Sequence, residues 1–171
     1  MEEIAFTKVK LPYGWLGNMA PYPIVYQKQV WKTSEALFQA LRFADESASE
    51  TSERRAKIRA EIMLLGSPMA AKMAAKKNLS LMTITPRSPE DVNNMRRVLC
   101  IKLNQHIELV KRLLDTKDAN IVEDCTARQN ESGLFWGAAK VDGKWTGQNM
   151  LGKLWMEIRY EMTRELPNGE E

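Results

Sequence analysis

The sequence predicts an α+β fold, a single mainly helical domain with a few short antiparallel strands. Two observations carry that reading. Apolar residues recur at helical spacing behind polar cap residues in several segments, and the β-branched and aromatic runs between those segments are only a few residues long. A third narrows it, because there is neither a regular β-α alternation nor the glycine fingerprint of a dinucleotide-binding fold. The chain has 171 residues, against the roughly 150 of a typical domain. It is therefore read as one domain over 1–171, with the acidic tail after about residue 166 expected to be disordered.

From Ile4 to Val9 apolar and polar residues partly alternate, and Pro23-Ile24-Val25-Tyr26 is β-branched and aromatic, so two short strands are expected there. Between them, Leu11 to Pro21 combines glycines, prolines, Tyr13 and Trp15. That composition fits either a binding loop or a plug over one end of the core. Thr33 or Ser34 caps a helix running through Asp45, with Ala36, Leu37, Ala40, Leu41 and Ala44 as its apolar stripe. Glu50 to Leu65 continues as a second helix, ended by Gly66, and Ser67-Pro68 starts a third with a cap followed by proline at the first helical position. Ser88-Pro89-Glu90-Asp91 repeats the signal, Asp91 completing a capping-box-like S-x-x-D, with Val92, Met95, Leu99 and Leu103 as the buried face. Ile107 to Leu114 adds a further helical turn or two. Ile121-Val122 and Leu134-Phe135-Trp136 read as strands, and Asp142-Gly143 between Val141 and Trp145 signals a hairpin. From Asn149, the positions Leu151, Leu154, Trp155, Ile158 and Met162 define a last amphipathic helix.

Composition excludes several classes. Hydrophobic residues at 44% and charged residues at 27% place the chain outside the disordered, collagen-like and membrane classes. A net charge of +3 is too small a surplus to mark a nucleic-acid binder by itself and is compatible with an anionic small substrate. Cys100 and Cys125 lack C-x-x-C spacing and read as free thiols. With His106 as the single histidine, no zinc site of the usual Cys/His kind can be assembled, so no metal and no cofactor are expected. No G-x-S-x-G, P-loop or H-E-x-x-H motif appears. The acidic start and the lack of any apolar run near ~18 residues point to a cytoplasmic protein without a membrane segment.

What remains are polar residues among aromatics. Glu35, Gln39 and Arg42 lie at i, i+4 and i+7, so one helix face carries a carboxylate, an amide and a guanidinium in a row. Such a stripe either grips a polar ligand or is an ordinary solvated face; Phe38 and Phe43 beside it favour the drier reading.

Taken in order, Leu16-Gly17-Asn18 with Pro21-Tyr22-Pro23-Ile24, Trp31-Lys32-Thr33-Ser34-Glu35 with Phe38-Gln39-Ala40, Ser67-Pro68 with Ala71-Lys72, Val122-Glu123, Trp136-Gly137, and Asn149-Met150-Leu151-Gly152 with Met156-Glu157-Ile158-Arg159 resemble the YbiA-like or NADAR family. The resemblance implies a metal-free α+β domain with N-glycosidase activity. Known branches act on ribosylamino-pyrimidine phosphates of riboflavin synthesis or on ADP-ribose attached to guanine. The chain departs from the pattern at Gly17 and Met19, where many members carry Ser and Phe, and at Gly133, where some carry an acid.

Cleaving a ribosyl C–N bond passes through an oxocarbenium-like transition state, so negative charge near C1′ and a base for water are needed. The resemblance makes Glu35 the first choice for catalysis, in a first helical turn where the helix dipole favours the ionised form. Glu123 is second, with Asp124 its rival. Trp15 and Trp136 are candidates to stack on the base or sugar, and Phe38, beside the stripe, is a further substrate-binding candidate. Asn18, Gln39 and Asn149 are candidates for ribose hydroxyls or the base edge, and Arg42 for a phosphate. Asn149 also has a competing role as a helix N-cap. Three functions are carried forward: hydrolysis of a small phosphorylated ribosyl substrate, removal of ADP-ribose from guanine in nucleic acid or nucleotide, and non-catalytic binding of nucleotide or ADP-ribose. A basic patch from Arg54, Arg55, Lys57, Arg59, Lys72, Lys76 and Lys77 would favour the second.

Overall fold

The computed structural model describes residues 2–44 and 49–165, so Asp45 and the tail after about 166 lie outside the described residues; the first helix, expected to run through Asp45, already ends at Leu41, with Arg42 as its C-cap. Strand β1 (Glu3–Phe6) alternates exposed and buried residues, turning Ile4 and Phe6 inward. A 3-10 turn at Gly14–Leu16 is buried throughout. Strands β2 (Ile24–Tyr26) and β3 (Gln29–Trp31) pair antiparallel. Their turn residues Gln27 and Lys28 both take positive φ, 49° and 63°, without the Asn or Gly that announces such a turn in sequence. That is why β3 escaped the sequence reading.

Helix α1 (Ser34–Leu41) is capped by Thr33, whose side chain accepts from the Ala36 N–H, and all its residues are buried. Ser49 caps α2 (Glu50–Leu64), and Ser67 caps α3 (Pro68–Lys77) with proline in its first turn. Then follow α4 (Pro89–Gln105) and α5 (Ile107–Leu114). After β4 (Asn120–Glu123) comes α6 (Glu131–Trp136), then strands β5 (Ala139–Val141) and β6 (Lys144–Thr146), and α7 (Met150–Glu165). The β5–β6 hairpin forms at Asp142-Gly143 as expected, both residues at positive φ.

Two expectations are corrected. Leu134-Phe135-Trp136 is helical, not extended, because Asn130 caps the segment by accepting from the Gly133 N–H. The strands are not all antiparallel either. β1 pairs β4 in parallel, Ile4 opposite Ile121 and Phe6 opposite Glu123, a pairing that only a long connection permits.

The fold is α+β and mainly helical, and the chain gathers into two compact units, Asn18–Gln105 and Met1–Gly17 with His106–Glu171. In the first, α1 packs against α2, α3 and α4, and the β2–β3 hairpin leans on α4 and α1. In the second, α7 packs against β4, α5 and α6, burying Leu151, Leu154, Trp155 and Ile158. No described helix is long and apolar enough to cross a membrane.

Candidate active site

Within Asn18–Gln105, the stripe read from sequence becomes a hydrogen-bonded relay. Gln39 Nε2 donates to Glu35 Oε1 at 2.8 Å, and Gln39 Oε1 accepts from Arg42 Nη1 at 3.0 Å. Arg42 then grips Asp91 with two parallel bonds, Nε to Oδ1 at 2.8 Å and Nη2 to Oδ2 at 2.7 Å. The Arg42 guanidinium also lies 4.6 Å from the centre of the Phe38 ring. All five residues are buried, Glu35 at 7% exposure, so the solvated-face alternative does not hold. Arg42 was expected to bind phosphate. In the fold its Nε, Nη1 and Nη2 donate to Asp91 and Gln39, as a buried guanidinium needs a carboxylate partner.

The relay fixes Glu35 at one oxygen only. Oε2 makes no hydrogen bond among the described residues, while the Glu35 N–H donates to the Asn18 carbonyl at 3.0 Å. Asn18 is itself buried, its Nδ2 2.8 Å from Met95 Sδ, with Oδ1 unsatisfied. Ser34 Oγ and Trp31 Nε1 are likewise buried without a partner. Of these three orphaned polar atoms, those of Asn18 and Ser34 sit in the segments that meet at Glu35. Each costs about 1–3 kcal/mol unless something pairs with it.

The remaining candidates belong to the other unit. Trp15 packs edge-on to Trp155 at 6.0 Å, has the Arg112 guanidinium 4.9 Å from its ring, and is buried. The Trp155 indole donates to the Leu16 carbonyl at 3.0 Å. The turn from Gly14 to Leu16 is thus a plug in the core of its unit, and Trp15 is part of it. Trp136, at the end of α6, sets its ring edge-on to Phe135 at 5.0 Å and is buried.

Asn149 does not cap α7 with its side chain. Its Oδ1 accepts from the Glu123 N–H at 3.0 Å and its Nδ2 donates to the Ile121 carbonyl at 2.8 Å. These are the strand groups that point away from β1, so the amide stands in for a neighbouring strand along the outer edge of β4. Gly152 completes the device, since a Cβ there would collide with the Ile121 carbonyl. Glu123 is half-buried at the end of β4. Its rival Asp124 turns Oδ1 back to the Thr126 N–H at 2.8 Å, the hydrogen bond of an Asx turn. Both carboxylates, together with burial, push the Cys125 thiol pKa up, burial being the larger cause.

The NADAR domain model matches residues 5–163 of this chain. The chain belongs to the NADAR family. It is 36% identical over 163 residues to the N-glycosidase YbiA of Escherichia coli (strain K12), covering 95% of this chain and 89% of that protein. The YbiA of Shigella boydii serotype 4 matches with the same identity and coverage. The N-glycosidase R617 of Acanthamoeba polyphaga mimivirus is 36% identical over a shorter stretch of 69 residues, 36% of this chain and 38% of that protein. The NMR structure of the E. coli YbiA protein matches with a TM-score of 0.69 at 30% identity, over 100% of this chain and 92% of that chain.

Two residues of this NADAR domain escaped the sequence reading. Asp91 was read as a capping-box acid. Its N–H does meet Ser88 Oγ at 3.3 Å, but its carboxylate reaches Arg42 and the Arg87 N–H. Lys102 is 0% exposed on α4, its ammonium 5.0 Å from the centre of the Tyr22 ring, and burial pushes its pKa down to about 7. A signal existed: Lys102 stands seven residues after Met95 and three after Leu99, on the same apolar stripe. Among the described residues, no group of three or more His, Cys, Asp or Glu side chains is arranged to hold a metal.

Proposed function

We propose that this NADAR domain is a cytoplasmic N-glycosidase that hydrolyses the ribose C–N bond of a ribosylamino-pyrimidine phosphate, an intermediate of the riboflavin type, without metal or cofactor. The carrying observation is Glu35, a buried carboxylate with one oxygen fixed by Gln39 and the other without a hydrogen bond, in a chain similar to N-glycosidases over nearly its whole length. As the C1′–N bond breaks, its electron pair leaves with the amine and positive charge spreads over C1′ and the ring oxygen. Glu35 Oε2 stabilises that charge or takes a proton from the attacking water. The departing nitrogen needs a proton, and Lys102, whose pKa lies at about 7, suits a donor working near neutral pH. Asn18 Oδ1 and Ser34 Oγ, unsatisfied in the fold, suit sugar hydroxyls.

One observation favours a second reading, removal of ADP-ribose from guanine. Arg54, Lys57, Lys72, Lys76 and Lys77 are exposed on the neighbouring helices α2 and α3, where they suit a nucleic-acid backbone. The test offers both substrate classes to the protein and identifies released ribose products by mass. Cleavage of the ribosylamine alone supports the first reading, cleavage of the guanine adduct alone supports the second, and binding without release supports a non-catalytic module. Glu35→Gln is expected to lower kcat by roughly 10²–10⁴-fold with thermal stability nearly unchanged; wild-type turnover in the folded variant would remove Glu35 from the mechanism. Turnover is also expected to survive EDTA, whereas loss restored by a divalent ion would refute the metal-free reading.

A further inference from the structure

The opposite face of α1 from the Glu35 relay looks into a cavity of about 540 Å³ in the Asn18–Gln105 unit, inside the roughly 300–1,000 Å³ range of small-molecule sites. Leu37, Ala40 and Leu41 of α1, with Ala60 and Met63 of α2, make an apolar floor. Glu35, Gln39 and Arg42 do not line it. The polar groups on its walls, among the described residues, are neutral or cationic: Gln27 and Gln29 from the hairpin, Asn94 and Arg97 from α4, and Arg59 from α2. Among the described lining residues there is no Asp or Glu, although α2 itself carries Glu50, Glu53 and Glu61.

The two arginines are not equivalent. Arg59 already donates to the Phe43 carbonyl, which holds its guanidinium in place on the wall. Arg97 is exposed and, among the described residues, makes no hydrogen bond or ion pair. The Trp31 ring also lines the cavity. An apolar floor and an indole ring beside a free guanidinium and an anchored one select for a flat apolar body bearing an anionic head.

We propose that this cavity is a second binding site, separate from the Glu35 relay, for a nucleoside monophosphate. Its base lies on the floor against Trp31, Leu37 and Met63, and its phosphate is held by Arg97 and Arg59. The proposal does not depend on the glycosidase reading.

The test is calorimetric titration of the full chain with adenosine 5′-monophosphate, adenosine and inorganic phosphate. The expected result is binding of the monophosphate, with adenosine and phosphate each at least tenfold weaker. Arg97→Glu reverses an exposed charge that no described partner needs, so it tests the head group without threatening the fold; affinity should fall at least tenfold. Ala60→Trp fills the cavity from the exposed side of α2 and should abolish binding. Glu35→Gln should leave affinity at wild type. The site is overturned if the monophosphate does not bind at millimolar concentration. It is equally overturned if Arg97→Glu, folded by circular dichroism, binds as wild type, or if binding is lost in Glu35→Gln and kept in Ala60→Trp, which would place the ligand at the relay instead.

Discussion

Asp91 shows how one buried side chain organises a site it does not touch. Its carboxylate accepts from Arg42 Nε and Nη2 and from the Arg87 N–H, so Arg42 is left with Nη1 for Gln39, and Gln39 with its amide hydrogens for Glu35. The charge order, carboxylate to guanidinium to amide to carboxylate, fixes which way the Gln39 amide faces. Asp91→Asn is therefore expected to destabilise the protein by about 3–5 kcal/mol, the cost of leaving a buried guanidinium without its counter-charge. Chemical denaturation measures it, and a loss under 1 kcal/mol would show that the pair is not needed. The three polar positions of the relay on α1 were legible in the sequence. Their burial was not, because an i, i+4, i+7 polar stripe has the same spacing whether it faces water or another helix.

At the scale of elements, α7 and β4 are joined by a device that the sequence shows only as a motif. Asn149 pairs with the outer edge of β4 through both halves of its amide, and Gly152 lets the helix approach the Ile121 carbonyl. Asn149→Ala leaves an N–H and a carbonyl without their partner and is expected to cost ~1–3 kcal/mol, read as a lowered unfolding midpoint. If Asn149 served the sugar alone, the midpoint would hold and KM would rise. The helix starts at Thr33 and Ser67 were readable because each cap satisfies a backbone N–H only three residues away. The short run from Leu134 to Trp136 was not, since three apolar residues carry no period and the deciding cap, Asn130, lies outside them.

For the whole molecule, Lys102 links stability to pH. In the unfolded chain it titrates at its ordinary 10.5, while in the fold burial lowers it to about 7. Between those values the unfolded state holds a proton that the folded state lacks, so stability rises with pH across this window, and the penalty for charging the buried amine is complete below about 7. Lys102→Met removes this pH dependence. The variant is expected to be the more stable protein at pH 6.5 by an order of a few kcal/mol, with the difference shrinking towards pH 10. Parallel curves for the two proteins would show that Lys102 keeps its proton in the fold. On the proposed mechanism the same variant loses turnover, so stability and activity move in opposite directions.

The sequence by itself determined the local structure and the chemical inventory: caps and stripes place the helices, the Asp142-Gly143 turn places a hairpin, and the order of short motifs carries the family. Local rules suffice there because each depends on residues within one or two turns. Only the tertiary structure decided that β1 lies parallel to β4, that Arg42 pairs with Asp91, and that Lys102 is dry. Partners 49 positions apart, as Arg42 and Asp91 are, leave no periodic trace. Whether a polar group is wet or buried is set by what packs over it, which no single segment contains.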